Sequence, residues 1–492
     1  MATAPSASST SRTRARATSR RSRCAGSPRR SRSMRSTARM RKAAGSAHGS
    51  AASRRWAFRC KRRRGRSAPG CPVMPTRQDT IPRGDGPHRG HGDRHQMNVV
   101  NLQDEARQES ALFVVVMLLL GMLGPTVFLG LPAIVGQVER HWGFGEAALG
   151  LSSFIEVLGE STGTLLVAFV LGRQPVRWVL AGAVTLAAGA NLGTLATHGL
   201  VAYSALQFIA GVGSGGLNGI ALRYLSYSRA PERNLGIMLM GQVTWSMVLL
   251  ATIFPMLSDT WGAHGVFGFV ACVLGMFVLA TPLFRRGETM AAPAPDGVAG
   301  RIDRKGAMLV LCAQLALYGG VGVVWTFLEK IGTAAGLSGR SVSLVLGAAN
   351  VASLVICAAM PKLGAGAGLR RWALVNLGGC AVAAVLLALP ASAATFTLGA
   401  IVFIGCWTGG ALLIYATIPQ YDLVGKSAAL SPGCVALGYG VGSVAGGSLI
   451  ERAGTQSALI AAIVLCAVAF LCYRRLRPAV FGMERALAVA SE

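Results

Sequence analysis

The sequence predicts an all-α membrane protein of twelve transmembrane helices, arranged as two parallel-repeat six-helix bundles. Three observations carry this expectation. Of the 492 residues, 52% are hydrophobic and only 14% charged, where a soluble domain carries about 25% charged residues. Apolar runs of about 20 residues, the length that crosses a bilayer, recur from Ala111 to Tyr473. A shift of 194 residues lays Arg177-Trp178-Val179-Leu180 on Arg371-Trp372-Ala373-Leu374, each at the start of the third helix of its half.

Residues 1–96 stand apart in composition, with 25 of the 48 Lys+Arg and 3 of the 20 Asp+Glu. They carry +22 of the formal +28, so the strongly basic balance belongs to the leader and not to the rest of the chain. From Ser6 to Arg66 the residues are mostly Ser, Ala, Arg and Gly, with too few aliphatic side chains to offset the entropy of ordering. A disordered leader is expected. Its run Cys60-Lys-Arg-Arg-Arg-Gly-Arg66 lacks the aromatic interleaving and the folded surface that read nucleic acid, so no nucleic-acid partner is expected. An Arg- and Ser-rich, acid-poor transit peptide fits the composition too. The preferred expectation is that translation begins at Met97, with 97–110 as a short cytoplasmic tail.

The expected N-terminal bundle, 111–284, holds spans at 111–136, 146–171, 177–197, 200–224, 234–257 and 263–284. A cytoplasmic linker, 285–305, follows; its Ala-Ala-Pro-Ala-Pro-Asp-Gly and five basic residues read as a solvated connection. The C-terminal bundle, 306–473, holds spans at 306–329, 341–362, 371–390, 393–417, 428–450 and 456–473, before a tail at 474–492. With both termini cytoplasmic, 19 basic residues fall on the cytoplasmic side and four (Arg140, Lys330, Arg340, Arg452) on the other. That split follows the positive-inside rule for cytoplasmic termini, and an inner (plasma) membrane location is expected.

Further matches gather on this frame. Leu206-Gln207 through Gly211-Val-Gly213, the loop Pro231-Glu-Arg-Asn-Leu-Gly236 and Trp261-Gly-Ala-His-Gly-Val-Phe267 resemble the fourth helix, its following loop and the start of helix six of the major facilitator superfamily. Asp422 through Ala429 and the glycines Gly438, Gly440, Gly442, Gly446 and Gly447 resemble its helix eleven. The resemblance covers about residues 110 to 475. It implies a secondary carrier of a small organic solute, working by alternating access as a monomer, with the site near the midplane between the halves. The chain departs from the pattern in three places. Gly172-Arg-Gln-Pro-Val-Arg177 keeps the basic end of the loop between helices two and three but lacks its acid. Gln207 stands where many proton-coupled members have Arg, and helix five has only Pro255 of the antiporter signature.

Charged groups at bilayer depth are costly and mark function; here only Glu156 and Glu160 sit mid-span. Four residues apart, they project from one helical face. Two carboxylates so close cannot both ionise cheaply in a low-dielectric cavity, so one is expected to carry a proton near neutral pH. Glu156 is the first candidate for proton coupling and Glu160 its modulator. The structural alternative is a neutral carboxyl hydrogen-bonded to a neighbouring helix, for example to Asn191 or Gln242. The repeat sets Asn350 opposite Glu156. The resemblance implies that helices one, four, seven and ten line the cavity. Its candidates are Gln207 and Asn218; Gln314, Tyr318 and Trp325; Trp407, Tyr415 and Gln420, a set suited to a small organic solute.

Several features carry plainer expectations. Trp325, Tyr415 and Tyr421 near span ends are the residues to anchor at the membrane interface. Lys330, Arg340 and Asp422 are expected to be solvated. Gly211 with Gly215, and Gly438 with Gly442, should permit close helix packing, and Pro125 and Pro132 should bend helix one. The eleven cysteines have no CxxC or Cys/His spacing, so neither a disulfide framework nor a zinc site is expected, and no cofactor. No metalloprotease or nucleophile-elbow motif is present, so the chain is not expected to be an enzyme. A non-transporting membrane sensor or receptor is the alternative.

Overall fold

The structure, a computed structural model, describes residues 111–289, 302–363, 368–390, 392–422 and 424–477. The expected leader, the tail before Ala111, the middle of the linker (290–301) and the end of the C-terminal tail (478–492) lie outside the described residues. Apart from one isolated bridge between Ile302 and Asp422, every regular element among the described residues is helical. Apolar segments of this kind must satisfy their backbone groups internally, because the hydrocarbon offers no water. Ten helical stretches among the described residues are long and apolar enough to cross a membrane.

The first apolar run is broken. Helices α1 (Ala111–Leu123), α2 (Thr126–Leu129) and α3 (Leu131–Trp142) are separated at Gly124-Pro125 and at Gly130. Proline has no N–H to give back to the preceding turn, so the interruptions leave carbonyls without a helical partner. Side chains of other helices take them: Ser214 bonds Gly124 O, Ser246 bonds Leu129 O at 2.8 Å and the Trp325 indole N–H bonds Phe128 O at 3.1 Å.

Helices α4 (Glu146–Val170), α5 (Val176–Thr194) and α6 (Leu200–Ser226) follow. Next come α7 (Pro231–Val248) and α8 (Phe254–Gly275), joined through a π-turn at Leu249–Ile253 and extended by a 3-10 segment, Met276–Leu283. The whole stretch is 53 residues, roughly 80 Å if straight. It is not straight: Gly262, at φ 59° and ψ −142°, breaks it in a conformation that L side chains avoid. Beyond the linker, α9 (Arg304–Thr326) stops at Phe327, and a short α10 (Leu328–Ala334) carries the chain on. The single span expected to reach residue 329 is therefore two helices. Five long helices follow: α11 (Gly339–Leu363), α12 (Gly368–Ala388), α13 (Ala393–Tyr421), α14 (Lys426–Ala453) and α15 (Thr455–Arg474).

Helix starts show how local chemistry ends each loop. Asp303 accepts from the N–H groups of Lys305 and Gly306 at 3.2 and 3.1 Å to cap α9. Ser392 and Thr395 form a reciprocal capping box on α13. Asp422, expected to be solvated, is buried at 3% exposure. Its carboxylate accepts from Val424 and Gly425 N–H at 2.9 and 3.1 Å and from Ser427 N–H, at the start of α14. Burial alone would raise its pKa, but these backbone donors overcome that and hold the carboxyl below the usual range.

Glycines set the closest helix contacts. Gly159 and Gly163 of α4 lie against the backbone of Phe208 and Val212 in α6, while Gly211 and Gly215 of α6 lie against the carbonyls of Glu156 and Glu160. Gly438 and Gly442 of α14 meet the carbonyls of Leu315 and Gly319 in α9 in the same way. The expected role of these pairs in packing holds. Helix α4 also packs on α14, where Ser443 Oγ bonds Gly150 O at 3.0 Å, and α7 packs on α11.

Candidate functional site

A cavity of ≈ 220 Å³ lies where the break between α2 and α3 faces α7, α9, α11 and α13. Five sequence candidates meet on its wall: Tyr318, Trp325, Asn350, Trp407 and Tyr415. Trp325 and Trp407 sit 5.4 Å apart at 55°, and Phe128 presents its edge to Trp407. Trp325, expected to anchor at the membrane interface, is instead buried at 2% exposure, its N–H bonded to the broken first run. Tyr421 is likewise buried, its hydroxyl on Arg477 O. Tyr415 is partly exposed along α13 but contributes to the cavity.

Other lining residues escaped the sequence: Phe128, Gln242, Ser246 and Thr408. Phe128 carried a usable signal, because Gly/Pro-interrupted apolar segments mark transporter-type sites. Gln242 entered the sequence reading only as a possible partner of Glu156. The structure commits its amide elsewhere, to Gly121 O at 2.8 Å, and that of Asn191 to Ala187 O at 2.8 Å. No charged side chain lines the cavity. A larger cavity of ≈ 660 Å³ shares Leu239, Cys357 and Leu412 with it and extends to Glu232 and Arg233.

The remaining candidates do not line this cavity. Gln207 is buried and donates to Thr194 at 3.3 Å. Gln314 is paired with Ser431 at 2.8 Å. The amide oxygen of Asn218 is buried without a hydrogen-bond partner among the described residues. Gln420 is half-buried near the end of α13. On α4, Glu156 is 2% exposed, and neither carboxyl oxygen has a hydrogen-bond partner among the described residues. Tyr203 and Tyr439 lie within electrostatic range of Glu156, and Tyr318 of the cavity wall within range of Glu160. Neither Glu156 nor Glu160 lines the aromatic cavity.

Solved structures of the same shape include the nucleoside transporter NupG, in a mutant form (TM-score 0.59, 11% identity, 74% of this chain and 98% of that one) and in a second structure (TM-score 0.57, 12% identity, 74% and 98%). A bacterial homologue of the human lysosomal transporter Spinster, inward-facing and unoccupied, matches at TM-score 0.55 and 12% identity over 74% of this chain and 96% of that one. The chain has the major facilitator fold. No known protein family and no curated protein matches the sequence. With its long apolar helices, this major facilitator fold makes the chain a multi-pass membrane protein.

One end of the major facilitator fold is tied by ion pairs. Arg140 bonds Glu329 at 2.7 Å, Lys330 bonds Glu139 at 2.9 Å and also Glu146, and Arg340 bonds Asp259 at 3.3 Å. Glu451 accepts from the N–H of Ala147 at 3.1 Å. Lys330 and Arg340, expected to be solvated, are paired, Lys330 only 27% exposed and Arg340 at the water-facing rim. Every one of these contacts joins a residue before 290 to one after 302. Burial pushes the Glu329 carboxyl above its ordinary pKa although Arg140 opposes it. Burial would lower the pKa of Lys330, but its two glutamate partners raise it. Gln137, Ser258 and Ser343 join Arg140, Asp259, Glu329 and Arg340 around a polar cavity of ≈ 470 Å³ here.

Proposed function

We propose that the chain is a secondary active transporter of a small organic solute, working by alternating access and coupled to protons through Glu156 and Glu160. One observation carries the proposal: an uncharged, aromatic-walled central cavity adjoins a larger one toward Arg233, while ion pairs tie the opposite end. A carrier caught with one side closed has this form.

Twelve crossings follow from the ten long stretches by counting the 53-residue stretch twice, folded at Gly262, and adding the broken run 111–142, which no single helix fills. Two six-helix halves, 111–284 and 306–473, are supported by matched packing. In one, α4 and α5 pack on α6, and α5 on α8; in the other, α11 and α12 pack on α13, and α12 on α15. Both halves begin with an interrupted helix, at Gly124 to Gly130 and at Phe327. The 19-to-4 distribution of basic residues supports an orientation with the ion-paired end outside and both termini cytoplasmic.

Coupling follows from chemistry on α4. An ionised Glu156 would be buried with no hydrogen bond among the described residues, a state that is expensive away from water. A carboxyl so placed holds its proton until the cavity opens and hydrates it, which ties protonation to the rocking of the halves. Flux into proteoliposomes under an imposed proton gradient is the test. Glu156→Gln is expected to abolish gradient-driven accumulation while solute exchange continues, and Glu160→Gln to shift its pH dependence. Accumulation unchanged in both variants sinks the coupling role; absence of any flux across a broad solute panel sinks the transport role.

A further inference from the structure

The polar groups on the cavity wall narrow the class of solute. Gln242 and Asn350 each give one amide N–H to a backbone carbonyl, Gly121 O at 2.8 Å and Leu346 O at 2.9 Å. A carbonyl cannot donate, so these bonds fix which end of each amide is the nitrogen. Each amide keeps one N–H and its carbonyl oxygen, one donor and one acceptor. The hydroxyl protons of Ser246 and Thr408 are spent on Leu129 O and Ile404 O, both at 2.8 Å, and the indole N–H of Trp325 on Phe128 O. What remains on the Ser246 hydroxyl is acceptor capacity, while the Thr408 hydroxyl also pairs with Ser353 at 2.8 Å.

Gln242 lies on α7 and Asn350 on α11, helices that pack together across the two parts of the chain. They share the wall of a space of ≈ 220 Å³ with the rings of Phe128, Trp325, Trp407 and Tyr318. An ion would enter without a counter-charge, because no Asp, Glu, Lys, Arg or His lines the wall. A carboxamide edge pairs with an amino group beside a ring nitrogen, the bidentate match that reads adenine, and aromatic faces stack on flat heterocycles.

We infer that this cavity takes an uncharged, planar nitrogen heterocycle of nucleobase size, whose edge carries a donor beside an acceptor and is held by Gln242 and Asn350. The assignment rests on the transport role of the same cavity and deepens it. Calorimetry on the full chain in lipid nanodiscs tests it with four probes: adenine, purine (which lacks the amino group), indene (a hydrocarbon of the same shape) and AMP. Adenine is expected to bind saturably, purine about fivefold more weakly, AMP weaker than either, and indene without saturation. Gln242→Leu and Asn350→Leu should each weaken adenine by about fivefold and erase its advantage over purine. The wild-type probe series decides even if a variant fails to fold.

Equal binding of indene and adenine, tighter binding of AMP, or no adenine binding at all would each overturn the assignment. Adenine that binds while no solute of the panel is carried into proteoliposomes would leave the assignment standing and sink the transport role. Gradient-driven flux of other solutes without heterocycle binding would do the reverse.

Discussion

At the scale of the residue, Asp422 shows how one buried carboxylate can serve structure alone. It accepts three backbone N–H groups at the start of α14 and sits away from the cavity. Asp422→Ala is expected to cost about 1–2 kcal/mol, read as a lower thermal midpoint in nanodiscs, with solute flux at permissive temperature unchanged. Its pKa is depressed in the fold, so its contribution is present above the unfolded value, about pH 4, and is lost as pH falls through the folded one. Asp422→Asn should therefore match wild type in acid and fall below it near neutrality. Glu156 is the contrasting case, a carboxyl with no such donors among the described residues. The sequence marked Glu156 as functional because a charge at mid-span has no ordinary purpose. It misplaced Asp422 because a carboxylate near a span end looks the same whether it caps a helix or faces water.

At the scale of the element, backbone conformation and close approach make separate predictions. Nothing lies within reach of a methyl group added at Gly262, so the cost of Gly262→Ala is conformational strain alone, about 1–3 kcal/mol, read as a drop in thermal midpoint. Gly215→Val differs in kind: its side chain would run into the Glu160 carbonyl, which α4 cannot move without unpacking from α6. Loss of folded protein on size-exclusion chromatography is the expected outcome. The spans themselves were legible, because bilayer thickness imposes a length that any apolar run must meet; described helices such as α4 and α6 begin and end within a few residues of expectation. The split of α9 from α10 at Phe327 was not legible, since no proline or glycine stands at the break. The interruption of the first run was legible as Pro125 and Pro132, though its consequence was not. The carbonyls it frees recruit Ser246 and Trp325 from distant helices, and those recruits build the cavity wall.

At the scale of the whole molecule, the proposed alternating access would make the ion-paired end a latch. Its partners lie far apart in sequence, Arg140 and Glu329 by 189 residues and Lys330 and Glu139 by 191, so no local pattern announced them. Arg340 and Asp259 are both largely exposed, and their loss should change little, under about 1 kcal/mol. Glu329 is only 7% exposed on its side chain, so Arg140→Ala strands a buried carboxylate and should open this end by about 1–3 kcal/mol. A cysteine placed at Ser258, in the polar cavity there, should then react faster with a membrane-impermeant maleimide. A raised carboxyl pKa means that the ionised form is the costly one, so Glu329→Gln should open this end less than Arg140→Ala does. The two should converge as the pH on this side falls through the Glu329 pKa. The cavity's aromatic residues were legible through the fold resemblance, while Gln242 and Thr408 were not, because an amide or hydroxyl on a span looks alike whether it faces a neighbour or a space. The bond from the Trp325 indole to Phe128 O has an optical consequence. If the halves part there, that indole loses its carbonyl and meets water, and its emission moves to the red. The difference spectrum between wild type and Trp325→Phe would then follow each turnover without any attached dye.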